Sequence, residues 1–229
     1  MNQQQLSVLL QLSSPSLPIG GFSYSQGFAS AVDRGIIVDE SSALLWIEEI
    51  LLGIFSTCEA PLWILLYRAW QMQDMEKIHY WNQWFWACRE TYELRMETEQ
   101  MGWSLVKLAQ ELKWGQADQL EMLKNLKPIS LPCAHAYVAN VHQFNIEDAL
   151  TAYGFTWVEN QVMAAIKSIP LGQVAGQRIL QAMAPALEKM VNIAQARANA
   201  LPPQIDTISS QLGILSARHE TQYSRLFRS

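Results

Sequence analysis

Five stretches of the 229-residue sequence hold residues whose types and spacing are those of known chemistry. Gly21-Phe22-Ser23-Tyr24-Ser25 has the outline of a hydrolase nucleophile elbow, but Ser25 replaces the closing glycine and no strand precedes it. The glycines read instead as a tight turn, with Ser23 or Ser25 capping the next helix. Cys133, His135 and His142 are metal-ligand types in close sequence. On a helix the two histidines share a face at a distance of about 10 Å, too far to hold one ion, and no His-x-x-x-His or Cys-x-x-Cys accompanies them. Packed or surface histidines, with no bound metal or other cofactor, are the expectation. Residues 170–178 place Gly172 and Gly176 where a helix begins, yet lack the Gly-Lys-Ser/Thr ending of a phosphate loop. Lys167 is the only charge between Glu159 and Arg178; it complements a helix C-terminus or touches a partner.

The stretch 89–100 carries four acids and two bases. A helix there aligns Arg89, Glu93 and Glu97 at four-residue steps. Paired carboxylates serve acid–base catalysis only with a second pole of chemistry. A solvated helix face is the reading, with Glu93 and Glu97 as candidate protein-binding residues. The tail, residues 216–229, carries Arg218, Gln222, Tyr223, Arg225 and Phe227. Chain ends usually fray, but frayed ends are poor in aromatics, whereas aromatic and Arg pairs are frequent interface anchors. The tail is therefore expected to dock a partner.

These residues must be positioned by helices. Apolar residues recur every three or four positions in Leu44/Ile47/Leu51/Phe55, Met101/Leu105/Leu108/Leu112, Ile146/Leu150/Tyr153/Trp157 and Leu180/Met183/Leu187/Val191. Ile36–Val38 is too short for anything but a connector. Asp39 and Asn145 are placed to cap helices, Pro61 fits a first turn, and Pro170 must break the 157–181 stretch. The expectation is all-α: one domain, residues 1–200, built as a bundle of roughly eight to ten helices without a sheet. Residues 201–229, opening with Leu201-Pro202-Pro203, form a linker and docking tail. Cys88 to Thr91 is expected to separate two helices although no Gly or Pro marks the place.

Composition narrows the function class. A net charge of −5 without a dense basic run argues against nucleic-acid binding. Three Cys without paired spacing fit reduced thiols in the cytoplasm. The apolar stretch 44–70 is interrupted by Glu48, Glu49 and Glu59, so no membrane span is expected. Nine Trp and nine Met are read mainly as core, while a charged fraction of only 16% leaves apolar surface for partners to cover.

Four stretches together resemble the UreF family of urease accessory proteins: residues 10–27 with Ser-Pro-Ser-Leu-Pro-Ile-Gly-Gly-Phe-Ser-Tyr-Ser-Gln-Gly, residues 89–104, residues 157–181 with Ile-Pro-Leu-Gly-Gln, and the tail. The resemblance spans nearly the whole chain. It implies an all-helical, cytoplasmic, non-enzymatic adaptor that dimerises, pairs with UreD (UreH) and the GTPase UreG, engages apo-urease and promotes nickel insertion. By the same resemblance Arg218, Gln222, Tyr223 and Arg225 match the tail motif implied in holding UreD, and the tail is expected to order on that partner. Lys167, Pro170, Gly172 and Gln173 are carried over as a loop facing the GTPase. Phe28 and Ala29 stand where the family often has Leu-Glu, so no acid contact at position 29 is carried over. Two alternatives stay open: a residue supplied in trans to the GTPase, from Arg89, Arg178 or Arg218, and a nickel carrier or conduit using Cys133 and His135.

Overall fold

The computed structural model describes residues 1–207, 210–222 and 225–228. Among them are eleven helices and no strand. They are α1 (Gln3–Leu12), α2 (Phe28–Asp33), α3 (Glu40–Met72), α4 (Met75–Ala87), α5 (Tyr92–Glu111), α6 (Ala117–Asn125), α7 (Leu131–Val141), α8 (Ile146–Ser168), α9 (Gln173–Ala182), α10 (Ala184–Asn199) and α11 (Ser210–His219).

Local chemistry sets most boundaries. The Asp39 carboxylate accepts the Ser42 amide at 2.8 Å and opens α3, and Asn145 Oδ1 accepts the Asp148 amide at 2.7 Å and opens α8. Ile169, extended ahead of Pro170, closes α8. Cys88 caps α4, and Thr91 opens α5 by accepting the Leu94 amide at 3.2 Å.

Three boundaries differ from expectation. The stripe read through Leu180, Met183, Leu187 and Val191 is split at Met183, because Pro185 starts α10 and has no amide to give α9. Six residues after Gly27, which sits at φ +82°, close into the short α2. With the tail helix, these raise the count above the roughly eight to ten expected. Pro61 takes its first-turn position in the α-helical segment Ala60–Met72, but no break in the helix precedes it. It lies inside α3, directly after a π-helical segment, Leu51–Glu59, whose wider turns break the regular i→i−4 ladder just before a residue that cannot donate to it.

α3 is the central element, packed by α4, α7 and α10. By length and composition it is apolar enough to cross a membrane, but 61% of its most apolar window is buried inside the bundle, with Leu62, Trp63, Ile64 and Leu66 fully enclosed. Two core indoles of α3 find acceptors: Trp63 Nε1 donates to His135 Nδ1 at 3.1 Å and Trp70 Nε1 to the Cys133 carbonyl at 3.3 Å. Of the nine Trp, only Trp103 is exposed.

The connector after α10 returns to the body: the Asp206 amide donates to the Thr57 carbonyl at 3.0 Å, and Arg197 pairs with Asp206. α11 then packs on α2 and α5.

Candidate partner-docking surface

The tail helix is seated through its own apolar and small-polar stripe. Leu212, Leu215, Ser216 and His219 are buried, and Ser216 Oγ lies 2.7 Å from Thr91 Oγ1, the residue that caps α5. Glu220 accepts the Tyr92 amide at 3.1 Å, giving the positive end of α5 a carboxylate. The next residue of α5, Glu93, holds two tail residues together: Oε2 is 2.8 Å from His219 Nδ1, and Oε1 accepts from Arg225 Nη1 at 2.9 Å.

Glu93 and Glu97 are therefore not on a solvated face; both are buried. The reason is periodicity. Positions 93 and 97 continue the four-residue row of Met101 and Leu105, so the carboxylates point inward with the apolar stripe and need polar partners. Glu97 takes its partner from Gln26, whose Nε2 donates at 2.6 Å while its Oε1 accepts from Trp157 Nε1 at 2.6 Å. Arg89 does not join that row, since it precedes α5. Its guanidinium lies 4.2 Å from the Phe85 ring centroid and 3.8 Å from Glu59.

Beyond the helix the chain continues to the proline–glycine loop. The Arg228 amide donates to the Ser23 carbonyl at 2.8 Å, and Phe227 is buried. Lys167 Nζ sits between two rings, 5.6 Å from the centroid of Phe227 and 5.9 Å from that of Phe22. Lys167, the Gly21–Ser23 turn and the tail, distant in sequence, thus form one surface. Arg218 is exposed, Gln222 half-buried, and Pro170, Gly172 and Gln173 exposed on the neighbouring connection, with Gly172 opening α9. Tyr223 lies outside the described residues. Phe22, His219 and Glu220 were missed by sequence reading, although Leu212, Leu215, Ser216 and His219 follow helical spacing and held the signal for the seated stripe.

The other candidates do not assemble into a centre. Ser25 Oγ accepts the Ala29 amide at 3.4 Å, although Gly27 and not a serine holds the N-cap position of α2. His135 Nδ1 is engaged by Trp63, and His142 is half-buried against Trp114 and Phe144. Among the described residues no three His, Cys, Asp or Glu side chains are grouped to hold a metal ion. Arg178 forks onto Glu40, with contacts of 2.8 and 2.5 Å.

Inside the bundle lies a cavity of about 50 Å³ whose polar lining includes Glu59, Glu97, His135, Tyr153 and Gln161. Tyr153 donates to Glu59 at 2.5 Å. Burial raises the Glu59 carboxyl above its ordinary range, with Arg89 offsetting part of the effect, and raises the Tyr153 hydroxyl well above its own. Burial pushes His135 down to about 3. The folded protein thus keeps His135 neutral, while the unfolded chain takes a proton near pH ~6.5. Its contribution to stability is full above that pH and is lost as the pH falls toward about 3. His135→Gln, which keeps an acceptor for Trp63 but cannot titrate, is expected to remove about 2 kcal/mol of the stability lost between pH ~7 and pH ~5. Urea melts at the two pH values check this; equal losses in both proteins would contradict it.

The described residues thus form an all-helical bundle whose tail and proline–glycine loop meet at a single surface. Residues 37–184 match the UreF family model, and the chain belongs to the UreF family. It is 54% identical over 225 residues to the urease accessory protein UreF of Cupriavidus necator, covering 98% of each chain. It is 51% identical to that of Polynucleobacter asymbioticus, over 98% of this chain and 97% of the relative. It also matches the bifunctional urease accessory protein UreEF of Bordetella bronchiseptica at 54% identity, where it spans 52% of that protein's length.

Proposed function

We propose that the chain is an adaptor in urease maturation: its seated tail receives UreD, its Lys167 loop faces the GTPase UreG, and the assembly promotes nickel insertion into apo-urease in the cytoplasm. The chain does no chemistry itself and works as a homodimer. The observation that carries this reading is that Phe227 of the tail and Phe22 of the loop flank the exposed Lys167, on a tail whose Arg225 is held by Glu93 of α5.

Lys167→Glu separates the two partners. Reversing this exposed charge is expected to weaken retention of UreG by about tenfold, roughly 1.4 kcal/mol, and UreD binding to a smaller extent, because Lys167 also lies against Phe227 of the tail. Size-exclusion chromatography of the purified three-component mixture reads both at once. Undiminished UreG retention would remove Lys167 from that interface.

A second reading, passage of nickel as cargo through the bundle, is favoured by the cavity lined by Glu59, Glu97 and His135. The alternative of an arginine given in trans narrows to Arg218: Arg89 is turned onto Glu59, Arg178 is engaged by Glu40, and Arg218 is exposed.

A further inference from the structure

A trough of about 660 Å³ runs along the outer side of α5, walled opposite by α6 and residues 126–129. Its floor is apolar: Val106, Leu123, Leu126 and Ile129 are buried there. Its rim is not. Trp103, the one exposed Trp, is 54% accessible, Met96 is 39% accessible, and Lys107, Lys124 and Lys127 stand around them; Glu99 lines the space, and Glu121 pairs with Lys124 at 3.4 Å. In a chain of net charge −5 this is a local excess of positive charge beside apolar surface. Lys107 lies 5.7 Å from the Trp103 ring centroid. The far wall is fixed from behind, because Asn82 Nδ2 donates to the Pro128 carbonyl at 2.8 Å and Gln83 Nε2 to the Lys127 carbonyl at 3.2 Å. Such a wall needs little ordering when something binds.

From Met96 to Gln110 the trough follows α5 for about 21 Å at 1.5 Å per residue, the length of a four-turn helix. At one end it meets the tail surface. Met96 and Gln100 also line an adjoining hollow of about 430 Å³, together with Tyr24, Arg225 and Arg228.

We infer that the trough is a second docking site for an amphipathic helix with apolar anchors and flanking acidic residues, belonging to the same partner that receives the tail. The apolar floor takes the anchors at i, i+3 or i+4, i+7 spacing, and Lys107 and Lys127 select the acidic flanks. Continuity with the tail surface makes the two sites one footprint, so this inference rests on the proposed docking of UreD at the tail.

The test uses the full chain and purified UreD in titration calorimetry. Trp103→Ala and the pair Lys107→Glu/Lys127→Glu change exposed side chains, and far-ultraviolet circular dichroism verifies that each variant is folded. Both are expected to weaken binding at least tenfold, with the charge-reversal effect shrinking as salt rises and Lys107→Arg/Lys127→Arg binding within twofold of wild type. If the trough variants bind normally while Arg225→Glu/Phe227→Ala does not, the trough inference fails and tail docking stands. If neither set weakens binding, tail docking fails as well. Light scattering supplies a further arm: trough variants that shift the chain from dimer to monomer without changing UreD affinity would identify the occupant as a second copy and overturn the proposal.

Discussion

Gly102→Val is expected to destabilise the fold by about 3 kcal/mol or more, lowering Tm by about 6–12 °C for a chain of this size. A Cβ at position 102 of α5 would lie 2.6 Å from the Ile129 carbonyl oxygen, 2.8 Å from the Ser130 carbonyl carbon and 3.0 Å from the Leu131 nitrogen. All three are backbone atoms, and they are held in place. Asn82 Oδ1 accepts from the Ser130 amide at 2.9 Å and from its hydroxyl at 2.8 Å, while Thr98 Oγ1 accepts from the Leu131 amide at 3.0 Å. To make room for valine, the start of α7 must move away from α5 and surrender these buried bonds. Gly53, where an added Cβ meets nothing within 4 Å, is the control: Gly53→Ala should leave Tm unchanged or slightly raised. Thermal melts followed by circular dichroism decide it, and a Gly102→Val melt that overlays wild type would contradict the close approach of α5 and α7.

Local signals were legible in the sequence because their causes are local. Asp39 and Asn145 cap helices through amides three residues on, and Pro170 ends α8 through its own ring. The separation at Cys88–Thr91 rests on a threonine cap instead of a Gly or Pro. What resisted reading depends on distant partners. Glu93 and Glu97 lie on the row of Met101 and Leu105, so periodicity pointed them inward. A carboxylate is assigned to solvent unless its counterpart is known, however, and those of Glu93 are His219 and Arg225, 126 and 132 residues away. The π segment in α3 was not foreseen, since the spacing of Leu51 and Phe55 fits an ordinary α-helix. Of the proposed docking surface, Lys167 and the tail arginines were legible by type. Phe22 was not, because its role arises only where the Gly21–Ser23 turn meets residues 227 and 228.

Arg225→Glu/Phe227→Ala is expected to weaken association with UreD at least ~100-fold, about 2.7 kcal/mol. The first change sets a carboxylate against Glu93, whose Oε1 now accepts from Arg225 at 2.9 Å. The second removes a buried ring from beside Lys167 and the Gly21–Ser23 turn. Both sit at the periphery, on a segment that follows the core helices, so the body should keep its helical content. Unseating the tail removes the surface itself, which is why the loss exceeds that expected for an exposed charge pair. Titration calorimetry of UreD with the wild-type chain and with this double variant, at one salt concentration, bears most directly on the docking claim. Docking through the tail requires a Kd raised at least ~100-fold in a variant whose circular dichroism matches wild type; an unchanged Kd in a folded variant would contradict it.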